Sequence, residues 1–334
     1  MSDHEEYPDL GGILPLDLQR MPKPVPAIPT TKFIRPCERI EEDTREFDGM
    51  TTIAMRFAAL TSELPLAGAN AMKPMASGDL AITAHLRARA PWYESAISLL
   101  DQQWRLQLWL GRPWISFRPL LLVGPPGCGK SHLARMIAER AGTGHSILSL
   151  AGVADAVTIE GTPRGYSTTM PCLPALTMAQ HLTANPIVVV EEADKTGCSS
   201  RNGDPLAALL TQIEPGTARQ YWDRCLAAPI DLSHVNWIFT SNSLDGLSAP
   251  LLSRMDMVRV AGPSPDHFDV LLDNLVQEVA NEWGVPLPGL PSLEAEAEDL
   301  LRTRFGKHRS VRRLDRELRA AMAAGIRSTS RSIS

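Results

Sequence analysis

The chain has 334 residues, of which 44% are hydrophobic and 21% charged, and its formal net charge is −5 at pH 7. This composition is typical of a soluble globular protein with room for two domains, and the weakly acidic charge excludes a general attraction to nucleic acid or anionic lipid. No apolar run is long enough to span a membrane, and the acidic start "MSDHEEYPDL" differs from a secretion signal. We therefore expect a cytoplasmic protein with no membrane partner.

The five cysteines form no C-x-x-C pair and lie near no histidine at metal spacing, so reduced thiols are expected rather than disulfides or zinc.

Residues 1–90 are predicted to be an N-terminal extension that is proline-rich and partly disordered. Six prolines fall within residues 15–36, and their fixed φ angles and missing N–H groups exclude helix and central strand, which indicates an extended arm. Short helices are possible in residues 44–63 and 79–90, but glycine and proline between them leave their packing open.

Residues 91–262 are predicted to be an α/β domain. Apolar residues at three-four spacing between Ile97 and Leu108 indicate a first helix, and the strands "RPLLLV", "SILSL", "IVVV", "NWIFT" and "MVRV" follow with helices between them. This alternation favours a parallel sheet flanked by helices on both faces. Residues 263–325 show only helical periodicity, which predicts a small all-helical domain, and residues 326–334 are expected to be a flexible tail.

A phosphate-binding loop, or P-loop, is indicated by "GPPGCGKS", which fits G-x-x-x-x-G-K-[ST] between an apolar strand and a helix. Its glycines let backbone N–H groups face an anion, and the dipole of the following helix favours negative charge at the same place. In this motif the lysine reaches the β- and γ-phosphates of ATP and the final hydroxyl binds Mg²⁺. The predicted nucleotide-binding residues are Gly124, Pro125, Pro126, Gly127, Cys128, Gly129, Lys130 and Ser131.

Two adjacent glutamates end the buried strand in "IVVVEEADK". In P-loop enzymes a second strand places an acid near Mg²⁺, and a following glutamate orients or deprotonates the attacking water. By position, Glu191 is the predicted metal-side acid and Glu192 the predicted catalytic base. The alternative is a charged strand end without function, which the P-loop upstream makes less favoured.

Four segments follow one another in the chain as "NPIVVVEEADKTG", "GDPLAALLTQIEP", "DLSHVNWIFTSNS" and "SAPLLSRMDMVRVAG". In this order they resemble the ATPase module of Lon proteases, which belong to the AAA+ superfamily. The resemblance extends from about Leu120 to about Ala321. It implies an AAA+ large domain followed by a helical lid, with ATP and Mg²⁺ as cofactors. It also implies a homo-oligomeric ring, for which a hexamer is expected.

The resemblance assigns roles to three polar residues outside the P-loop. Asn242 corresponds to the sensor beside the γ-phosphate and the attacking water, and an amide can donate to one and accept from the other. Arg254 corresponds to the arginine finger that reaches a neighbouring subunit's nucleotide, and Arg312 to the lid arginine that contacts the phosphates. The alternatives are a strand-end turn for Asn242 and a surface ion pair for Arg254. For the adenine pocket only residues near Trp92 and Tyr93 can be offered.

Tyr166, in "RGYSTTMP", corresponds to the family's channel residue that grips an extended polypeptide by apolar contact. The family pattern continues with an aliphatic residue and a glycine, whereas Ser167 and Thr168 follow here, and a buried structural tyrosine is the alternative.

The sequence shows no serine-lysine peptidase motif, and a short proline-rich extension stands where Lon has a large N-domain. Cleavage of peptide bonds is therefore not expected.

Three functions are compatible with these motifs. The favoured one is a Lon-like AAA+ ATPase without protease activity, which couples ATP hydrolysis in a ring to remodelling or threading of a protein substrate. A nucleic-acid-linked AAA+ motor or loader would use the eight Lys and Arg residues of 301–319, although interleaved acids favour a solvated lid face there. An ATP-binding switch or scaffold with weak hydrolysis is the third, because Glu191 stands where the family has aspartate.

Overall fold

The computed structural model describes residues 32–41, 52–152, 156–166, 168–196 and 204–332, and it describes side chains only as far as residue 324. Most of the predicted proline-rich arm lies outside these residues, as do Cys198 and Ser167. None of the helices in the described ranges is long and apolar enough to cross a bilayer. The four cysteines that are described, at 37, 128, 172 and 225, are free thiols.

A five-stranded parallel sheet forms the centre of the α/β domain, as the sequence predicts. The strands of the described residues are β1 (Phe33–Ile34), β2 (Leu64–Pro65), β3 (Leu120–Val123), β4 (His145–Ser149), β5 (Ile187–Glu191), β6 (Tyr221–Asp223), β7 (Ala228–Ile230), β8 (Asn236–Ser241) and β9 (Asp256–Arg259). The central sheet has the order β4-β5-β8-β3-β9, and all of its pairings are parallel. The carboxyl ends of β3, β5 and β8 therefore meet at one edge, where the P-loop, Glu192 and Asn242 follow them.

Strand β5 shows why these strands read as unbroken apolar runs. Val188 and Val190 belong to the hydrophobic core on one face of the sheet, and Ile187 and Val189 belong to the core on the other. All four side chains are fully buried. Each contributes about 1.5 to 3 kcal/mol relative to exposure, so the strand is held in place before its terminal acid, Glu191, reaches the edge.

Helices cover both faces of the sheet and form a separate bundle after it. They are α1 (Ile53–Arg56), α2 (Ala81–Arg89), α3 (Glu94–Trp109), α4 (Lys130–Arg140), α5 (Val157–Glu160), α6 (Leu173–His181), α7 (Pro205–Ile213), α8 (Pro215–Ala218), α9 (Ala249–Leu252), α10 (Phe268–Trp283), α11 (Ala295–His308) and α12 (Val311–Ser332). Helices α10, α11 and α12 surround a third core that includes Phe268 and Phe305, and we call this bundle the lid. Helix α12 continues to Ser332, seven residues beyond the predicted end of the lid at residue 325.

Part of the predicted N-terminal extension packs into the α/β domain. Strands β1 and β2 pair antiparallel, and buried residues between Ile53 and Leu66 share a core with β5 and β8. The fully buried Asn185, just before β5, accepts a hydrogen bond from the Ala67 N–H (2.7 Å) and donates to the Ala67 carbonyl (2.9 Å) and the Ile115 carbonyl (2.8 Å). This amide joins the extension to the amino-terminal edge of the sheet.

A short antiparallel hairpin, β6 and β7, precedes β8 and was not predicted. Its organising residue is Asp223, whose buried carboxylate accepts hydrogen bonds from the N–H groups of Cys172, Cys225 and Leu226 at 2.7 to 2.9 Å. The hairpin is thereby joined to the start of α6.

Candidate active site

A cleft of about 400 Å³ lies between the P-loop and the lid, within the usual size range of small-molecule sites. On the sheet side it is lined by the P-loop from Pro126 to Ser131 and by Glu192 and Asn242. On the lid side it is lined by residues of α10 and by Arg312 at the start of α12. The structure therefore brings the predicted phosphate loop, base, sensor and lid arginine to one cavity.

Two glycines give the P-loop its shape. Gly127 and Gly129 have φ angles of +83° and +90°, which side-chain-bearing residues rarely adopt. A Cβ on Gly129 would lie 2.1 Å from the Oη atom of Tyr93. That hydroxyl donates a 2.7 Å hydrogen bond to the Cys128 carbonyl, and burial raises the pKa of Tyr93 to about 12, so it stays a donor. Tyr93 thus braces the loop from behind.

Lys130 is buried at the base of the cleft. Its Nζ atom donates to the carbonyls of Gly124 (2.7 Å) and Pro125 (2.9 Å) and to Oδ1 of Asn242 (2.9 Å). The P-loop lysine and the predicted sensor are therefore in direct contact although 112 residues separate them in the sequence. A lysine has three N–H donors, so all three are used within the protein here.

The two glutamates at the end of β5 have different surroundings. The Glu191 carboxylate, 12% exposed, pairs with Arg135 of α4 at 3.2 Å. The Glu192 carboxylate pairs with Lys195 at 2.6 Å, and its backbone N–H donates to Oγ1 of Thr240 at 3.2 Å. Glu192 also has a left-handed backbone conformation, with φ +58° and ψ +46°. Such strain in a residue other than glycine is typical of functional sites, where surrounding contacts hold it.

Trp92 and Tyr93, the weak adenine-pocket candidates, do line the cleft. The Trp92 ring packs against the His267 ring, with centroids 5.4 Å apart, where the lid begins. From α10, Asn274 donates a 2.5 Å hydrogen bond to the Arg89 carbonyl. These contacts fix the lid against the residues that precede α3, so the cleft has an aromatic wall at the junction of the two domains.

Arg254 does not line the cleft. It follows α9 and forms an ion pair with Glu214, and its Nη1 atom donates a 2.7 Å hydrogen bond to the Pro250 carbonyl. Its guanidinium is about one third exposed. Arg254 is thus separate from the cleft.

Tyr166 is 62% exposed, so the alternative of a buried structural tyrosine is wrong. Its loop is closed at the base by an antiparallel bridge between Thr162 and Met170. Arg164 donates hydrogen bonds to the carbonyls of Cys225 and Leu226 in the β6–β7 turn, at 2.7 and 2.8 Å. The loop is anchored on both sides while the tyrosine ring projects from it.

Four of the eight Lys and Arg residues in 301–319 form ion pairs with acids, among them Arg304 with Glu317. Arg302 contacts Asp269 and Glu298, Arg313 contacts Glu317, and Arg319 contacts Asp315 and Glu282. This pattern is that of a solvated lid face rather than a continuous stripe of free cations.

The residues of the cleft suit a magnesium nucleotide. The P-loop and Lys130 provide N–H donors for phosphates, and the Ser131 hydroxyl provides a hard oxygen ligand of the kind that Mg²⁺ prefers. The predicted metal-side acid Glu191, at the end of β5, does not itself line the cleft but directly precedes the lining residue Glu192. Within the described ranges no group of three or more His, Cys, Asp or Glu residues could hold a metal ion. Mg²⁺ often binds through one or two protein groups together with substrate phosphates and water, so this small donor set fits.

Sequence reasoning missed Arg135, Lys195 and Thr240, which contact the two glutamates. Lys195 lies three residues after Glu192, a spacing that permits contact in a turn, and could have been found. Arg135 and Thr240 come from other elements, and only the assembled sheet brings them to β5.

Fold and site together define a class of protein, a P-loop ATPase domain followed by a helical lid. Residues 120–262 match the sequence model of the family described as "ATPase family associated with various cellular activities (AAA)". This segment is therefore an AAA domain, and it is of the type found in Lon proteases.

That similarity is seen in relatives from plants, yeast and bacteria. The chain is 34% identical over 210 residues to "Lon protease homolog 2, peroxisomal" of Zea mays, covering 62% of this chain and 24% of the relative. It is 40% identical over 143 residues to the protein of the same name from Pichia angusta, covering 43% and 15%. It is 38% identical over 167 residues to "Lon protease" of Clostridium beijerinckii, covering 50% and 21%. The chain thus spans a quarter or less of the length of these relatives.

Proposed function

We propose that this chain is a Lon-type AAA+ ATPase module that binds Mg·ATP, hydrolyses it in a homo-oligomeric ring and uses the energy to remodel or thread a protein substrate. The observation that carries the proposal is the contact between Lys130 and Asn242 in a cleft that Glu192 also lines. Three groups with separate tasks in phosphoryl transfer therefore meet at one point. The proposal concerns the ATPase module alone.

Each residue has a task set by its chemistry. Lys130 exchanges its carbonyl and amide partners for the β- and γ-phosphates, and the N–H groups of the P-loop hold the remaining phosphate oxygens. Glu192, once released from Lys195, accepts a proton from the attacking water or orients it, and Asn242 holds that water near the γ-phosphate. Arg312 contributes positive charge from the lid. Mg²⁺, bound by Ser131 and Glu191, would neutralise phosphate charge when present.

Hydrolysis is tested with Glu192→Gln, which keeps the shape of the side chain but removes the base. We expect nucleotide affinity to be retained and turnover to fall about a hundredfold, as for loss of a general base. Glu139→Gln, on the exposed face of α4, is the matched control and should leave turnover unchanged. Equal turnover in both variants would contradict the assignment of the base.

Arg254 acts as the arginine finger of the ring. It lies away from the cleft of its own subunit and is available to the cleft of a neighbouring subunit. Arg254→Ala should abolish turnover. Glu214→Gln breaks the same ion pair but leaves the guanidinium in place, so it should retain turnover. If the two variants lose the same activity, the ion pair is structural and the finger role is wrong.

Substrate contact gives Tyr166 its role. Tyr166→Ala should retain basal turnover and thermal stability, since the ring is exposed, but should lose stimulation by an unfolded protein. Tyr166→Phe keeps the ring and should restore that stimulation. A loss of stimulation in the phenylalanine variant would contradict a role based on apolar contact.

A second candidate, an ATP-binding switch with weak hydrolysis, is favoured by one observation, the pairing of Glu191 with Arg135. It predicts tight binding with negligible turnover, which Glu191→Asp would raise. A nucleic-acid-linked motor is less favoured because four of the eight basic residues in the 301–319 stretch are paired with acids. It predicts stimulation by DNA or RNA that falls steeply with salt.

A further inference from the structure

The predicted metal-side acid is already bound to a cation of the protein. Arg135 lies one helical turn after Ser131 on α4, so it faces the same strand end as the P-loop serine. Its Nε atom donates to Oε1 of Glu191 and its Nη2 atom to Oε2, each at 3.3 Å. A guanidinium with two donors against two carboxylate oxygens is the fork arrangement that arginine forms and lysine does not.

The two partners of this ion pair differ in burial. The Glu191 side chain is 12% exposed, whereas that of Arg135 is 51% exposed. The carboxylate is thus largely shielded from water, while its partner can move out into solvent. In the described part of the chain, the hydrogen bonds that this carboxylate accepts come from Arg135.

Mg²⁺ and the Arg135 guanidinium are both positive, so close binding of one to the Glu191 carboxylate disfavours binding of the other. A Mg²⁺ ion that binds Glu191 would meet the positive charge of Arg135 at the distance of a direct contact, where like charges repel. Either the ion pair opens or the metal binds without this acid. The extra methylene of glutamate, compared with the aspartate of the family, lengthens the arm that reaches the guanidinium.

We propose that Arg135 is a positioning residue that holds Glu191 in competition with Mg²⁺, so that metal loading of the nucleotide cleft requires this ion pair to open. The inference rests on the proposed function, since it concerns the metal of the same site. It makes the Mg²⁺ concentration needed for loading depend on a residue outside the P-loop.

The test is a Mg²⁺ titration of the binding of a fluorescent, non-hydrolysable ATP analogue to the full chain. Arg135→Gln should lower the Mg²⁺ concentration for half-maximal binding about fivefold, the scale of one partly buried ion pair. In a Glu191→Gln background the same substitution should change this concentration less than twofold. Arg140→Gln, at the other end of α4, removes an equal charge from the same helix and should leave it unchanged.

The double variant separates pairing from a general field effect. If Arg135 acted only through its long-range charge, the fivefold shift would persist without the Glu191 carboxylate, and the inference would be overturned. An unchanged or increased Mg²⁺ requirement in Arg135→Gln would also overturn it while leaving the proposed function intact. Failure of the unaltered protein to bind the analogue at any Mg²⁺ concentration, matching Lys130→Ala, would instead refute the proposed function and this inference with it.

Discussion

Replacing Gly129 by alanine should test how the P-loop is braced. The substitution forces a φ of +90° on a residue with a Cβ, which costs about 1 kcal/mol. It also places that Cβ 2.1 Å from the Tyr93 hydroxyl, so a buried ring must shift. Displacing the ring adds about 1 to 3 kcal/mol of overpacking and about 1 kcal/mol for its lost hydrogen bond to Cys128. The expected total is about 3 to 5 kcal/mol in the free energy of unfolding.

Gly127 provides the matched control. Its φ is +83°, and a Cβ there would meet nothing within 4 Å, so Gly127→Ala should cost only the backbone strain of about 1 kcal/mol. In a Tyr93→Phe background the nearest atom to the Gly129 Cβ is the ring carbon Cζ at 3.4 Å, an ordinary contact. The added cost of Gly129→Ala should then fall to about 1 kcal/mol, a coupling of about 2 kcal/mol or more.

Urea unfolding followed by circular dichroism measures these differences, provided that the transition slopes agree among variants. Equal destabilisation by the two glycine substitutions would refute the bracing by Tyr93. Additive effects of Gly129→Ala and Tyr93→Phe would refute it as well, because the clash with the hydroxyl would then contribute nothing.

Three further outcomes are expected. Thr240→Val removes the acceptor for the Glu192 N–H and should lower turnover about fivefold without changing nucleotide affinity, since one hydrogen bond near the base is lost. Asp223→Ala leaves three buried N–H groups without their acceptor and should destabilise the chain by about 3 kcal/mol in urea unfolding; a loss under 1 kcal/mol would contradict the account of the hairpin. Burial lowers the pKa of His234, so the unfolded chain takes up a proton first and stability should fall as the pH drops below about 6.5. His234→Asn should reduce that loss between pH 7.5 and 5.5, and an unchanged loss would show that other groups cause it.

The parts of the fold that the sequence predicts are those with local signals. The P-loop follows from glycine and lysine spacing within eight residues, and the central strands follow from apolar runs such as that of β5, which is buried on both faces. The hairpin β6–β7 has no such signal. Its strands have three residues each, Trp222 is exposed, and its turn places Ala227 at a positive φ where glycine or asparagine would be expected.

The same distinction holds for the site. The order of the motifs predicts that the site lies between one edge of the sheet and the lid. Glu192, Asn242 and Arg312 do line one cleft there. The brace from Tyr93 to Cys128 spans 35 residues and uses a backbone carbonyl, which leaves no pattern in the sequence. The packing of residues 53–67 was also out of reach, because it depends on irregular backbone and on the single amide of Asn185.

The Asn185 contacts have a consequence for folding during synthesis. They join residue 67 to a side chain 118 positions later, and the apolar residues around Leu60 and Leu64 share their core with β5 and β8. At about 5 to 20 residues per second, the ribosome needs roughly 6 to 24 seconds to add those 118 residues. Throughout that interval the early segment lacks its native contacts with β5, and the core is complete only when β8 has also been made, so this apolar surface is exposed to aggregation until then.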